Sequence, residues 1–224
     1  MHRTFMAALL ASSALVFVPT AGALADPIGR VTMVSVWAYG TPPNQATRDL
    51  FEPEAVNSDE VVRTVTRGAL HLSFLDDSVL RLGSASTVTL DEFVYDPSTS
   101  SGEMAINLSK GTFRFISGNM AKSGILFRTP SATIGVRGTD FAALVGEDGT
   151  TRITVYSGEV IVTPLAGGAP VSVAAGQDLT VSLNGETGEL GNGFETVDPG
   201  LGEDEGFDGS GGGPGGGGGG GEGG

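Results

Sequence analysis

From Glu60 onward the apolar residues recur at every second position in short runs, and no useful length of chain outside the amino terminus repeats at the helical period. Leu70, Leu72 and Phe74 alternate with His71 and Ser73; Met104, Ile106 and Leu108, then Phe113 and Phe115, follow the same rule. Alternation of this kind puts one side of each run inside and the other outside, which is the signature of a half-buried strand. Turn-forming clusters separate the runs: Asp76-Asp77-Ser78, the stretch from Asp96 to Gly102, Ser117-Gly118-Asn119, and Glu147-Asp148-Gly149-Thr150 with its Asp-Gly hairpin signal. A chain so patterned is all-β.

Ahead of these runs, Asp26 to Tyr39 reads as a first strand, stopped by Gly40-Thr-Pro-Pro-Asn44 because paired prolines supply no ladder donors. Gln45 to Asn57 is polar and reads as a loop insertion holding up to one helical turn. Three strands begin just after a glycine, at Gly68, Gly111 and Gly158, spaced 43 and 47 residues apart. Glycine turns a tight corner at positive φ without a Cβ clash, so this spacing predicts a twisted β-solenoid-like or double-layer β domain. A plain meander of hairpins would give the same spacing.

The amino terminus follows another logic. An apolar run from Phe5 to Val18 leads to Pro19 and then Ala23-Leu24-Ala25, a secretory signal with cleavage after Ala25. The run is shorter than the roughly 20 apolar residues a membrane-spanning helix needs. The expected organisation is therefore a signal peptide at 1–25, a folded domain at 26–188 with its core at 61–183, and a disordered acidic glycine-rich tail at 189–224. The expected location is outside the cytoplasm, in the periplasm or at the cell surface of a Gram-negative bacterium, with no membrane span after cleavage.

The chain carries 26 acidic and 12 basic residues, a net charge of −14. No Lys or Arg occurs after Arg152, and nine acidic residues fall between Glu186 and Glu222. Such a balance repels nucleic acid and anionic lipid surfaces. With no cysteine, the fold rests on its core and thiolate metal sites are excluded.

Few residues suit chemistry. His71, the only histidine past the signal, sits at an alternating strand position and reads as a surface or edge residue. Asp76-Asp77 and Asp91-Glu92 are adjacent carboxylates, but neighbours on a strand point to opposite sides, so turn-forming and edge-protecting roles fit better than glycoside hydrolysis or calcium binding. No cofactor, metal or small-molecule substrate is expected. The most unusual stretch is Thr129-Pro-Ser-Ala-Thr-Ile-Gly-Val-Arg-Gly-Thr-Asp-Phe141. Pro130 biases Thr129 towards extended backbone, Gly135 and Gly138 admit a close backbone or a bend, and Arg137, Thr139 and Asp140 follow. A guanidinium among apolar neighbours needs its donors met, so Arg137 is expected to be partly buried and bonded to backbone carbonyls or to Asp140. A structural clamp is favoured over an anchor for an anionic ligand.

That motif resembles the FecR domain family. So do Leu108-Ser-Lys-Gly-Thr-Phe-Arg-Phe115 before it, and Val155-Tyr-Ser-Gly-Glu-Val-Ile-Val162 and Ala175-Gly-Gln177 after it. The resemblance spans about Val61 to Val181. It implies a periplasmic all-β domain with a twisted solenoid-like body and, in the founding members, signalling from an outer-membrane iron-siderophore receptor to a cytoplasmic sigma factor. This chain has an export signal where those members carry a sigma-binding segment and a membrane helix, and a glycine tail where they carry a receptor-contacting domain. The expectation is the middle module alone: a non-enzymatic unit whose partner is another envelope protein or a second copy of itself. A structural or adhesion component of the envelope is the alternative, and an unrecognised hydrolase a third.

Overall fold

The computed structural model describes residues 27–121 and 124–192. The expected signal at 1–25 and residues 193–224 of the expected tail lie outside the described residues. Fourteen strands occur within them, with no helix: β1 (Pro27–Ser35), β2 (Ala38–Thr41), β3 (Arg48–Asp49), β4 (Ala55–Asn57), β5 (Glu60–Thr64), β6 (Ala69–Phe74), β7 (Val79–Leu82), β8 (Thr87–Asp96), β9 (Ser101–Ile116), β10 (Ile125–Arg128), β11 (Ala132–Val145), β12 (Thr151–Pro164), β13 (Val171–Ala174) and β14 (Asp178–Val181). The expected first strand is broken at Val36-Trp37 into β1 and β2. The polar insertion holds β3 and β4 in place of a helical turn. Order also persists past Gly188, through bridges from Val181 to Thr187 and from Asp178 to Gly191.

The strands form two layers. In the first, β4, β1, β6 and β7 are followed by the carboxyl half of β9, the carboxyl half of β11, the amino half of β12, and β14. In the second, β3, β2, β5 and β8 are followed by the amino half of β9, β10, the amino half of β11, the carboxyl half of β12, and β13. Every pair is antiparallel except β9 with β10, so the parallel rung stacking of a coil is confined to that one pair. The sheet is continuous and does not close on itself.

Alternation explains how the layers meet. Leu70, Leu72, Leu80, Leu82, Phe113, Phe115 and Phe141 are buried on the first layer, facing Leu90, Phe93, Ile106 and Phe127 of the second. Phe74 stacks on Phe93 with centroids 5.6 Å apart. Phe127 meets Phe115 edge-on at 4.8 Å and Phe141 at 5.2 Å. Aromatic pairs in these geometries add about 0.5–1.5 kcal/mol each beyond the area they bury.

The chain repeatedly passes between layers by turning at a residue with left-handed backbone. Val36 (φ 63°) stands between β1 and β2, Arg67 (φ 59°) between β5 and β6, and Ala85 (φ 50°) between β7 and β8. Gly111 (φ 108°), Gly138 (φ 63°) and Gly158 (φ 77°) bend β9, β11 and β12, and Gly176 (φ 82°) separates β13 from β14. Two of the three glycine corners expected from spacing are present. At the third, the positive φ falls on Arg67, and Gly68 serves closeness: a Cβ there would lie 2.9 Å from the carbonyl oxygens of Trp37 and Val65. At Gly158 both demands coincide, since a Cβ would overlap the Gly138 carbonyl.

Candidate functional site

The sequence motif builds the corner where β10, β11 and β12 meet. Thr129 and Ser131 flank exposed Pro130 in the tight connection between β10 and β11, and both are buried. Their hydroxyls form a one-directional chain. Ser131 Oγ donates to Thr151 Oγ1 at 2.8 Å, Thr151 Oγ1 donates to Thr129 Oγ1 at 2.9 Å, and Thr129 Oγ1 donates to the Ala132 carbonyl at 3.2 Å. The Ala132 amide returns a bond to Thr129 Oγ1 at 3.0 Å. Hydrogen bonds aligned head to tail polarise one another, and this chain ties the turn to the start of β12.

The second half of the motif differs from expectation. Arg137 is exposed, and among the described residues no hydrogen bond or ion pair holds its side chain. Asp140 pairs instead with Arg114 of β9, whose Nε and Nη2 donate to Oδ1 and Oδ2, each at 2.9 Å. The Arg114 guanidinium also lies over the Tyr156 ring, 4.6 Å from its centroid. The physical reason is the bend at Gly138. The β11–β12 register slips between Arg137 and Asp140, so Arg137 ends on the outer side of the second layer while Asp140 sits on the outer side of the first. Arg137 follows the side of Thr133 and Gly135, opposite buried Ile134 and Val136, so its apolar sequence neighbours were never its surroundings. Thr139 between them is buried and fastens the corner: its Oγ1 donates to the Glu159 carbonyl at 2.8 Å, and its amide donates to Ser117 Oγ at 2.9 Å. Gly135 needs no close approach, since the nearest atom to a Cβ there is the Ile161 carbonyl oxygen at 3.9 Å.

The other candidates are dispersed. Asp76 is buried in its turn, with Oδ1 accepting from the Ser78 amide at 3.1 Å and the Ser78 hydroxyl at 2.6 Å. Asp77 is exposed and accepts from Asn119 Nδ2 at 2.8 Å. Asp91 forms a surface pair with Arg128 at 2.9 Å, and Glu92 is exposed beyond a bulge in β8. His71 is half-buried on β6, directly opposite Arg81 of β7. Among the described residues no three His, Asp or Glu groups gather to hold a metal ion.

An open depression of about 450 Å3 lies beside Pro130, lined by Lys110, Glu147, Asp148 and Leu183 among others. Hydrogen bonds from the Thr150 amide, then from its hydroxyl, hold the Asp148 carboxyl below the usual carboxylate range. A group held ionised in this way is a poor proton donor near neutrality.

Two features were invisible in the sequence. Glu60 is fully buried and accepts from Arg48 Nη2 at 2.8 Å and from the Asn57 amide and side chain at 3.0 and 3.1 Å. The insertion therefore supplies the donors for a buried carboxylate. At the first corner, Val36 and Trp37 are 63% and 46% exposed, and the Trp37 indole donates to Asp49 at 3.1 Å. Phe51, two residues beyond Asp49, is 53% exposed. A β-branched residue at positive φ is an outlier, and nothing in the sequence around Val36 announces one.

These observations define a two-layer antiparallel β module in which Thr129, Ser131, Gly138, Thr139 and Asp140 serve its corners. Residues 60–161 match the family model described as FecR protein. Two crystal structures of a proposed anti-sigma factor from Parabacteroides distasonis are similar, each 18% identical with a TM-score of 0.46. The match covers 57% of this chain and 57% of theirs, so it spans little more than half of those proteins. No curated protein matches. Among the described residues no helix is long and apolar enough to cross a membrane.

Proposed function

We propose that this chain is an exported, non-catalytic FecR-type binding module that engages another envelope protein through its Val36-Trp37 corner. Cleavage follows Ala25 and places the module in the periplasm or at the cell surface. Thr129, Gly138, Thr139 and Asp140 act as architecture in this reading, and Arg137 is a surface residue. The supporting observation is the corner itself. Backbone held in a rarely populated region by its surroundings clusters at functional sites, and here it presents a large aliphatic side chain and a tryptophan to solvent, with Phe51, two residues past the Asp49 that holds Trp37, also exposed. Exposed aromatic residues of fixed orientation are the usual energetic centres of protein interfaces, and Asp49 fixes this one. A signalling role follows the family resemblance.

The test is affinity capture from envelope extract with the mature chain and its Trp37→Ala variant, alongside thermal melts of both. One defined partner, lost with Trp37→Ala at unchanged melting temperature, supports the reading. Capture indifferent to Trp37→Ala overturns it, and a sedimentable self-assembled form favours the structural alternative.

A further inference from the structure

Gly135 lies inside β11, and nothing in the fold asks for a glycine there. Its backbone is not among the left-handed positions. Apart from its sequence neighbours, the one described atom within 4 Å of a Cβ built on it is the Ile161 carbonyl oxygen, at 3.9 Å. A glycine inside a strand gives up packing and costs entropy, and it marks a place where another group approaches closely. No described side chain does so at Gly135. Strand register shows what surrounds the gap: Leu126 of β10 stands opposite Gly135 on one side, and Ile161 of β12 on the other. Thr133 and Arg137 lie two residues before and after it, so all five residues share the outer side of the second layer. Leu126, Thr133 and Ile161 are half-buried, and Arg137 is exposed. The result is a hole bounded by four side chains with backbone as its floor.

Neighbouring strands are about 4.8 Å apart, so Leu126 and Ile161 stand roughly 10 Å apart across the glycine, which leaves room for one inserted side chain. Both of these walls are aliphatic, and apolar surface selects an apolar occupant. Charge distinguishes the two ends of the hole. Beside Thr133, Arg128 is already paired with Asp91 at 2.9 Å. At the other end, Arg137 has no hydrogen bond or ion pair among the described residues. Glu159 stands opposite it on β12 but accepts from the Ser172 hydroxyl instead. The guanidinium donors of Arg137 are thus left for an anion from outside. Side chains two residues apart on an extended chain point the same way, about 6.7 Å apart, which is also the interval from Gly135 to Arg137.

We propose that this hole is a docking site for an extended segment of a protein partner. The segment seats one aliphatic or aromatic side chain on Gly135 and, two positions away, a carboxylate on Arg137. The filled hole fixes the position of the segment, and the carboxylate fixes its direction, because a guanidinium takes both oxygens of a carboxylate in one plane. The second layer runs β2, β5, β8, β9, β10, β11, so the hole lies roughly 24 Å across the strands from β2, which follows Trp37. It is a contact separate from the Trp37 corner.

The test is selection of phage-displayed heptapeptides on the full mature chain, with threonine at alternate positions to favour an extended backbone and the other positions randomised. Peptides carrying an apolar residue two positions from Asp or Glu should be enriched. On Arg137→Glu the acidic preference should switch to Lys or Arg, and on Gly135→Val, which fills the hole, the apolar preference should be lost. Thermal melts confirm that each variant folds, and Gly135→Ala is a milder filling. By fluorescence anisotropy the best peptide should bind Arg137→Ala about tenfold or more weakly, the loss of a charge-assisted bond. Trp37→Ala should leave the pattern intact, so failure here and failure of the Trp37 reading are separate results. Absence of the pattern, or the same pattern on Arg137→Glu and Gly135→Val, overturns the proposal. Self-association of the chain that Gly135→Val abolishes would give the hole to a second copy and overturn the choice of partner.

Discussion

Replacing Asp140 by alanine isolates the bond that closes the β9–β11 corner. The mutation removes two parallel charge-assisted hydrogen bonds of 2.9 Å and leaves Arg114 with the Tyr156 ring as its neighbour. Both side chains of the pair are 20% exposed, so screening is partial. Hydrogen bonds to charged groups contribute about 1.5–3 kcal/mol, and solvated ion pairs at most about 1 kcal/mol. The two bonds belong to one pair and do not add, which puts the loss near 2 kcal/mol. For a domain of this size each kcal/mol moves the melting temperature by about 2–4 °C, so a fall of about 4–8 °C is expected by circular dichroism. A double-mutant cycle with Arg114→Ala should return a coupling of about 1–2 kcal/mol. Arg137→Ala is the internal control and should stay within about 0.5 kcal/mol, as exposed side chains do. Coupling near zero, or an Arg137→Ala loss equal to that of Asp140→Ala, would refute the assignment of the clamp.

The remaining expectations concern corners, the insertion and acid. Gly158→Ala should destabilise the domain severely in a melt, because φ is 77° and the Gly138 carbonyl occupies the space, whereas Gly135→Ala should be near neutral; equal effects would contradict the corner geometry. Glu60→Ala strands the Asn57 amide and one Arg48 donor beside a buried site, and urea titration should show a loss of about 3 kcal/mol. Asp96 is held below its ordinary value of 3.8 chiefly by the Ser98 hydroxyl, then by the Ser98 amide and the Thr99 hydroxyl, and Asp148 is lowered by Thr150. Both carboxyls have folded pKa values below the unfolded one, so their contribution is complete above about pH 4 and fades as pH falls through the lowered values. Asp148→Asn should flatten the acid limb of a plot of melting temperature against pH, and an unchanged limb would count against that linkage.

The parts of this fold that were legible from sequence are those decided locally. Alternation from Leu70 to Phe74 and from Met104 to Phe115 gave strands and their inner sides, and Asp148-Gly149 gave the turn between β11 and β12. Gly111 and Gly158 marked bends because glycine is the residue for which a left-handed corner costs least. Val36, Arg67 and Ala85 make the same kind of turn without glycine, and only the surrounding corners hold them there. The partner of Asp140 is hidden from the sequence for a related reason. Asp140 and Arg137 are three residues apart in sequence, but a bend lies between them, while Arg114 is 26 residues away and directly accessible. Likewise Arg48 and Asn57 look like solvated polar residues until Glu60 is seen to be buried between them.

Because β9, β11 and β12 each run through both layers, the two halves of this body are held by continuous backbone as well as by side chains. An ordinary sandwich can fail by one sheet sliding off the other. Here such sliding would have to straighten Gly111, Gly138 and Gly158 while the hairpins they join stay paired. Under a pulling load the module should therefore resist and then rupture in a single step.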